Sequence, residues 1–207
     1  LVDNSSRDLY FATSNQLGLI CESLNLNVYE VIKTANKSYS RTNLALPGLV
    51  GGPCLEKDPI ILYESISDNK HKPKLFRDSR KLNKDLIKVI LPWLKNLHID
   101  YKKKSIAIMG LAFKGMPETS DVRGSLAIDI FDLLKKLKFK NIFLFDPVKE
   151  TYNAPEIKKY FDGSKIIYNY EDLILETDIA IITNNHKFYS KFHKRRDLWK
   201  LNPKLEL

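Results

Sequence analysis

A cysteine in a glycine-rich turn is the first candidate for chemistry in this sequence. It lies in LVGGPCLEKDP, residues 49–59. Gly51 and Gly52 permit positive φ values or close approach of the backbone to a ligand, and Pro53 restricts its own conformation and that of the residue before it. The turn would therefore present Cys54 in one orientation, from which a thiolate could attack an electrophile.

Two of the charged residues that follow Cys54 could assist its chemistry. Lys57 supplies a cation, and nearby cations favour the thiolate form of a cysteine. Asp58 would share a face with Cys54 if a helix begins here, because residues at i and i+4 are neighbours on a helix surface. This pattern predicts a covalent intermediate that the thiolate forms and that a water organised by the carboxylate hydrolyses. The alternative is a buried cysteine that only fills a turn, since no histidine lies near it in sequence to act as a base.

Helical patterns surround this segment in the first half of the chain. Leu9, Leu17, Ile20 and Leu24 recur at helical spacing, which predicts an amphipathic helix over residues 3–24 with Asn and Ser side chains on its other face.

Further elements of the first half follow from capping and turn signals. An Asn N-cap with a glutamate three residues later predicts a second helix over residues 27–38. Residues 39–59 lack periodicity and are rich in Gly and Pro, so we expect an ordered loop there. Helical pattern returns over residues 59–69 and 74–98, and Pro92 should kink the second of these helices near its end.

The second half changes to alternating strand and helix patterns after YKKK, residues 101–104. A continuous apolar run over residues 105–113 suits a strand buried on both faces. A helix opened by Ser125, a strand over 141–147, a short helix and a strand over 178–183 follow, and this order is typical of a doubly wound parallel sheet. We therefore predict an α/β protein, with a helical domain over residues 1–99 and an α/β domain over residues 100–207.

Ligands of such a sheet are expected at the carboxyl ends of its strands. The first strand leads into GLAFKG, residues 110–115, which lacks the G-x-G-x-x-G spacing of a dinucleotide-binding turn. Lys114 and Arg123 follow and would suit a phosphate, Lys as a point charge and Arg as a fork. The alternative is that both are ordinary surface cations.

Composition narrows the kinds of partner, metal site and location that the sequence allows. A balance of 34 Lys and Arg against 25 Asp and Glu gives a net charge of +9, but the charges are interspersed and no stacking platform or recognition helix accompanies them, so no nucleic-acid partner is expected. Two cysteines at positions 21 and 54 make neither a disulfide framework nor a zinc cluster. We expect free thiols, no metal, and a soluble cytoplasmic protein, because no apolar run approaches the roughly 20 residues that cross a bilayer.

Five segments in order resemble one family. They are DNSSRDLYFATSNQLGLICE, YSRTNLALPGLVGGPCLEKDP, GLAFKG with DVRGS, LFDP, and TDIAIIT before NNH. Their order and spacing are similar to those of the central and C-terminal domains of the UDP-glucose/GDP-mannose 6-dehydrogenase family. The resemblance implies an NAD-dependent, two-step oxidation of the C6 alcohol of a UDP-sugar, glucose or an N-acetylhexosamine, to the uronic acid for polysaccharide biosynthesis. It also implies a helical dimerisation domain followed by a Rossmann-like domain, truncated at both ends.

The resemblance assigns roles to individual residues. Cys54 resembles the nucleophile that holds the aldehyde as a thiohemiacetal, Asp58 the carboxylate that helps to activate water, and Asn4 the asparagine that stabilises the oxyanion. Lys57 and Arg123 resemble contacts to NAD. Contacts to the sugar nucleotide are expected from a larger set: Arg41, Pro47, Gly48, Leu49, Val50, Gly51, Gly52 and Lys114.

The NAD-binding first domain of the family has no counterpart in this sequence. We therefore expect the chain alone to be inactive, with NAD bound mainly by that domain. The expected partners are the UDP-sugar, a second copy bound through the helical domain, and a chain that supplies the NAD-binding domain, with no membrane. Two alternatives stay open: a non-catalytic sugar-nucleotide-binding or assembly subunit, and a cysteine hydrolase that pairs Cys54 with His186 or His71.

Overall fold

The computed structural model describes residues 1–37, 41 and 43–191. These residues form two compact units, one over residues 1–97 and one that begins at His98. Residues 38–40 and 42, within the predicted second helix and loop, and residues 192–207 of the predicted second domain lie outside the described residues. None of the described helices has the length and apolar character needed to cross a membrane.

The first unit is built from helices. They are α1 (Val2–Ser23), α2 (Val28–Asn36), α3 (Pro53–Glu64), α4 (Lys74–Asp85) and α5 (Ile90–Asn96), with a 3₁₀ turn at Leu86–Val89. Helix α1 packs against both α3 and α4. A small apolar cluster of Cys21, Val28 and Ile32 joins α1 to α2, so Cys21 is a buried free thiol that fills a core.

The buried face of α1 differs from the predicted one. Its buried residues are Ser5, Asp8, Ala12, Ser14, Asn15, Gly18 and Cys21. Ile20 and Leu24, predicted on the apolar face, are 44% and 60% exposed. The prediction was wrong because Asp8 and Asn15 on this face bond to polar partners inside the unit, and buried polar groups are stable when they are hydrogen-bonded. A search for apolar spacing does not detect such a face.

Helix α3 begins before the position that the sequence predicts. The predicted loop over residues 39–59 ends at Gly52, and the helix runs from Pro53 through Pro59. Pro53 occupies the first helical position, where its missing N–H loses no intrahelical bond. Gly52 caps the helix with φ of 105°, a conformation that favours glycine.

The other helices follow the sequence signals more closely. Asn27 caps α2, with its Oδ1 accepting a hydrogen bond from the Tyr29 amide at 3.0 Å. The helix predicted over residues 74–98 is divided into α4, the 3₁₀ turn and α5. Pro92 has no N–H to offer the Lys88 carbonyl, so the α-helical ladder is interrupted at this turn.

The second unit contains one parallel sheet. Its strands are β1 (Ser105–Met109), β2 (Asn141–Phe145), β3 (Lys165–Ile166) and β4 (Ile179–Ile182), in the order β3-β2-β1-β4. Helices α6 (Leu126–Leu137), α7 (Pro155–Tyr160) and α8 (Tyr170–Glu176) connect them, with 3₁₀ turns at Tyr101–Lys103, Lys149–Asn153 and Lys187–Lys191. The prediction of a doubly wound parallel sheet is confirmed.

Burial in the second unit explains its strand sequences. All five residues of β1 are buried, as expected for a central strand covered on both faces. Ala107 and Met109 pack with Phe143, Phe145 and Leu173 in one cluster. Ser125 caps α6 through a hydrogen bond from the Ala127 amide at 3.2 Å. Strand β3 was not predicted, because two residues are too few to show a period.

Gly115 offers a test of the packing beside β1. A Cβ built at this residue would overlap the backbone nitrogen of His186, and main chain cannot move aside as a side chain can. We expect Gly115→Ala to destabilise the second unit by about 3 kcal/mol, measured by amide hydrogen exchange in β1, which reports opening of that unit.

Gly48→Ala is the matched control for this substitution. A Cβ at Gly48 would meet no atom within 4 Å. The free energy of opening measured by exchange in α1 should therefore change by less than about 0.5 kcal/mol. Equal protection of β1 in Gly115→Ala and the unsubstituted chain would contradict the packing described here.

Candidate functional site

Cys54 lies in the first turn of α3, and its side chain is exposed. It is therefore not the buried turn filler that the sequence left open. The start of a helix favours negative charge, because the first N–H groups have no intrahelical acceptor. A thiolate or an oxyanion formed at this residue would lie in that favourable field.

Asp58 lies one turn further along α3, and its carboxylate is held by two side chains. Its side chain is only 6% exposed. Asn4 Nδ2 donates to Oδ2 at 2.6 Å, and Lys57 Nζ donates to Oδ1 at 3.0 Å. These hydrogen bonds, that from Asn4 first, hold the pKa of Asp58 below its ordinary value. The carboxylate thus stays ionised at neutral pH.

Lys57 is the exposed member of this group. The hydrogen bond to Asp58 and the charge of that carboxylate raise the pKa of Lys57, and Cys54 adds a smaller contribution in the same direction. The structure therefore brings Asn4, Lys57 and Asp58 into direct contact, with Cys54 on the same helix.

The loop before α3 carries most of the predicted substrate contacts. Pro47, Val50 and Gly52 are buried, whereas Gly48, Leu49 and Gly51 are half-buried. The Gly48 amide donates to Asn15 Oδ1 at 2.8 Å, and the Val50 carbonyl accepts from Arg80 Nη2 at 2.9 Å. Arg41 is exposed. The loop is thus fixed to α1 and α4 by hydrogen bonds to its backbone.

A buried polar network makes these attachments, and the sequence interpretation missed it. Arg80 Nη1 donates to Asp8 Oδ1 at 2.9 Å, and Asn83 Nδ2 donates to the same oxygen at 2.9 Å. Asn15 Nδ2 donates to Asn83 Oδ1 at 2.8 Å. Burial raises the pKa of Asp8, and Arg80 and Asn83 oppose that shift.

One signal in the sequence could have found the network. Asn4, Asp8 and Asn15 are spaced by four and seven residues, which places them on one helix face. Arg80 and Asn83 are likewise three residues apart on α4. Polar residues at helical spacing on two helices predict a polar contact between those helices.

The carboxyl end of β1 is where ligands of the second unit are expected. The strand order places β2 on one side of β1 and β4 on the other, so the connections diverge at this edge. Lys114 lies in the loop after β1, half-buried, with Nζ 5.2 Å from the centre of the Phe113 ring. Arg123 is bound by Asp121 at 2.7 Å and holds the pKa of that carboxyl below its ordinary value.

The backbone amides after β1 are not available to the pyrophosphate of a dinucleotide. Asp146, almost fully buried, accepts hydrogen bonds from the Leu111 and Ala112 amides at 2.6 and 3.2 Å. In dinucleotide-binding sheets the amides after the first strand bind the pyrophosphate. Here an internal carboxylate takes them, and burial raises the pKa of Asp146 while these hydrogen bonds oppose the shift.

The two glycines after β1 also serve internal packing. A Cβ at Gly110 would approach the Asn184 side chain to 2.8 Å, and one at Gly115 would overlap the backbone of His186. Their small size thus admits the loop after β4, rather than a phosphate. His186 and His71 each contact a carboxylate, Glu118 and Asp68 respectively.

No group of three or more His, Cys, Asp or Glu residues suited to a metal ion occurs within residues 1–37, 41 and 43–191.

The parallel sheet in the order β3-β2-β1-β4 defines the second unit as a Rossmann-like α/β domain, which here follows a helical unit with an exposed cysteine. The central-domain model of the UDP-glucose/GDP-mannose dehydrogenase family matches residues 1–85, and the UDP-binding-domain model of the same family matches residues 107–204. This chain belongs to the UDP-glucose/GDP-mannose dehydrogenase family.

Individual relatives agree with this assignment. The UDP-N-acetyl-D-mannosamine dehydrogenase of Campylobacter jejuni is 36% identical over 149 residues, which cover 71% of this chain and 35% of that protein. The enzyme of the same name from Methanococcus vannielii is 30% identical over 211 residues, covering 100% of this chain and 44% of its own length. The structure of the UDP-D-ManNAc dehydrogenase of Pyrococcus horikoshii matches with a TM-score of 0.72 and 26% identity, over 92% of this chain and 42% of that one. The chain thus spans less than half the length of these relatives.

The hydrogen bond from Asn4 to Asp58 predicts how the pKa of Asp58 responds to a substitution at Asn4. A carboxyl whose pKa is lowered by folding stabilises the fold above its unfolded pKa of about 3.9, and this contribution is lost as the pH falls through the folded pKa. Asn4→Ala should raise the pKa of Asp58 towards its ordinary value, measured by carboxyl NMR titration.

The same substitution should make the stability difference from the unsubstituted chain shrink as the pH falls below about 4. Gln16→Ala, at an exposed position of the same helix, should leave the pKa of Asp58 unchanged. An unshifted Asp58 in Asn4→Ala would show that this hydrogen bond does not hold the carboxylate.

Proposed function

We propose that this chain is part of an NAD-dependent nucleotide-sugar 6-dehydrogenase that oxidises the C6 alcohol of a UDP-sugar to a carboxylate, with Cys54 as the nucleophile. The observation that carries the proposal is the exposed Cys54 one helical turn before a buried carboxylate that Asn4 and Lys57 hold. Family membership supports it, because the matched models are those of a sugar-nucleotide dehydrogenase family.

The substrate that we propose is a UDP-N-acetylhexosamine for polysaccharide biosynthesis. Two relatives named UDP-N-acetyl-D-mannosamine dehydrogenase support the sugar class, and the UDP-binding-domain match supports the carrier. We assign the nucleotide to the loops at the carboxyl end of β1, where Lys114 lies, and the sugar to Arg41 and the loop over residues 47–52.

The chemistry that we assign to this chain takes place at the C6 aldehyde. The sulfur of Cys54 adds to the carbonyl carbon, and the oxygen takes the electron pair and then a proton, which gives a thiohemiacetal. Asn4 has two amide protons, of which one goes to Asp58, so the other can stabilise the oxyanion. NAD, held mainly outside this chain, would accept the hydride from C6, and Lys57 and Arg123 would contact it.

Asp58 is assigned to the hydrolysis of the thioester that the second oxidation leaves on Cys54. Water attacks the acyl carbon and the thiolate leaves. One proton of the water goes to the sulfur and the other to solvent, and the sugar is released as the carboxylate. The lowered pKa of Asp58 makes it a weak proton acceptor, so its role is to orient this water and to hold Asn4.

Substitution of Cys54 tests the proposal. In the protein assembled with an NAD-binding domain, in one chain or as an added partner, Cys54→Ser should lower uronic acid formation by about 10³-fold or more, because the nucleophile is lost. The measurement is product analysis with UDP-N-acetyl-D-mannosamine.

Cys21→Ser is the control for this substitution, because Cys21 is the buried thiol of the same unit. It should retain activity wherever it folds. Full uronic acid formation by Cys54→Ser would exclude the covalent mechanism and favour a non-catalytic role for the cysteine.

We also propose that two copies associate through the first unit. Leu24 and Leu26, at the end of α1, and Val31 on α2 are exposed apolar residues of that unit, and such residues in proximity mark association surfaces. Leu24→Glu should shift sedimentation of the chain towards the monomer. The control, Leu75→Glu on α4, should leave the dimer intact, and a wholly monomeric unsubstituted chain would exclude the proposal.

A further inference from the structure

The carbonyls on both sides of Cys54 share one donor, the guanidinium of Arg80. Nη2 donates to the Val50 carbonyl at 2.9 Å, and Nη1 donates to the Leu55 carbonyl at 3.4 Å. Val50 precedes the glycine turn and Leu55 follows the cysteine. A single planar group thus holds the backbone at both ends of the segment that presents the thiol.

Pro59 explains why the Leu55 carbonyl is open to this contact. In a regular helix that carbonyl would accept from the N–H of residue 59, but proline has none. Pro59 is buried inside α3, so water is a poor substitute partner. Arg80 supplies the donor that the helix lacks.

Asp8 fixes the guanidinium in this position. Its Oδ1 accepts from Arg80 Nη1 at 2.9 Å, and both side chains are buried. Asp8 lies four residues after Asn4 on α1, so the two side chains lie on one face of the helix. Asn4 bonds to the carboxylate of Asp58, and Asp8 bonds to the group that holds the Cys54 backbone.

We propose that Arg80 is a positioning residue for the thiol, which places the Cys54 sulfur relative to Asn4 and Asp58 through the carbonyls of Val50 and Leu55. The inference rests on the proposed function, since it concerns the addition of that sulfur to the C6 aldehyde. It does not place Arg80 in contact with the substrate.

Lysine cannot replace arginine in this role. Three acceptors, two carbonyls and a carboxylate, lie around the two terminal nitrogens of one plane. A guanidinium presents its donors in a rigid fork, whereas an ammonium is a point charge on a flexible stem. Arg80→Lys therefore keeps the charge beside Asp8 and removes the geometry.

The test uses the chain itself and the C6 aldehyde of UDP-N-acetyl-D-mannosamine as the probe. Addition of the thiol to the aldehyde forms an S–C bond without any oxidant and blocks alkylation of Cys54 by iodoacetamide. Mass spectrometry measures the labelled fraction at Cys54, and at Cys21 as a reference for folding because that thiol is buried.

We expect Arg80→Lys to require at least about tenfold more aldehyde for half-protection of Cys54, because a small misplacement of a reacting atom lowers reaction strongly. Cys21 should stay unlabelled. Arg77→Lys is the matched control, since Arg77 lies on the same helix, is half-buried, and pairs with Asp78. Its half-protection should match that of the unsubstituted chain.

Asp8→Asn is the second variant, and it keeps an oxygen acceptor while removing the charge that orients Arg80. It should shift half-protection in the same direction. The positioning role would be overturned if a folded Arg80→Lys chain had the same half-protection as Arg77→Lys. Labelling of Cys21 in both variants would also overturn it, because it would show a purely structural role. Absence of protection by the aldehyde in the unsubstituted chain would instead overturn the proposed function.

Discussion

The buried Asp8–Arg80 ion pair is the interaction on which the first unit depends, because it joins α1, α4 and the loop before α3 in one contact. Such a pair adds little stability over well-packed apolar residues, yet removal of one partner costs about 3–5 kcal/mol because the other charge stays buried. Burial raises the pKa of Asp8 against the opposing effect of Arg80 and Asn83, so the desolvation of this carboxyl group opposes its ionisation. The pair instead determines the path of the chain on both sides of Cys54.

The second unit shows how a Rossmann-like sheet can use the backbone groups after its first strand for internal bonds. The amides after β1 are taken by Asp146, and the glycines after β1 admit the loop that follows β4. Because these amides already donate to Asp146, they are not open to a phosphate. A nucleotide at this edge must therefore use other groups, and Lys114 in the same loop is a cation suited to that purpose. Family membership and strand order thus both indicate a Rossmann-like domain, although the G-x-G-x-x-G motif is missing.

Sequence patterns were sufficient for the parallel sheet and insufficient for the packing of α1. Continuous apolar runs such as β1, and caps such as Asn27 and Ser125, act locally, so a single segment carries the whole signal. The interior face of α1 depends on partners in α4, far away in the chain, and a search for apolar spacing alone does not detect it. The start of α3 at Pro53 was missed for a related reason, since Gly and Pro also mark loops. Among the predicted site residues, Asn4, Lys57 and Asp58 do come together, whereas the groups that hold their loop were not predicted at all.

Each unit uses a buried polar side chain to pair backbone groups that its helices or strands leave unpaired. Where a helix or strand ends, its last backbone groups lose their regular partners and need others when they are buried. Before α3 and inside it, the unpaired groups are carbonyls, and a buried cation, Arg80, donates to them. After β1 they are amides, and the buried carboxyl group of Asp146 accepts from them. In both places a buried side chain pairs backbone groups that the regular hydrogen-bond pattern leaves unpaired, and hydrogen bonds to a charged group such as Arg80 are about twice as strong as neutral ones. A side chain near such backbone groups, as Cys54 is, is therefore oriented by a residue that is distant in sequence.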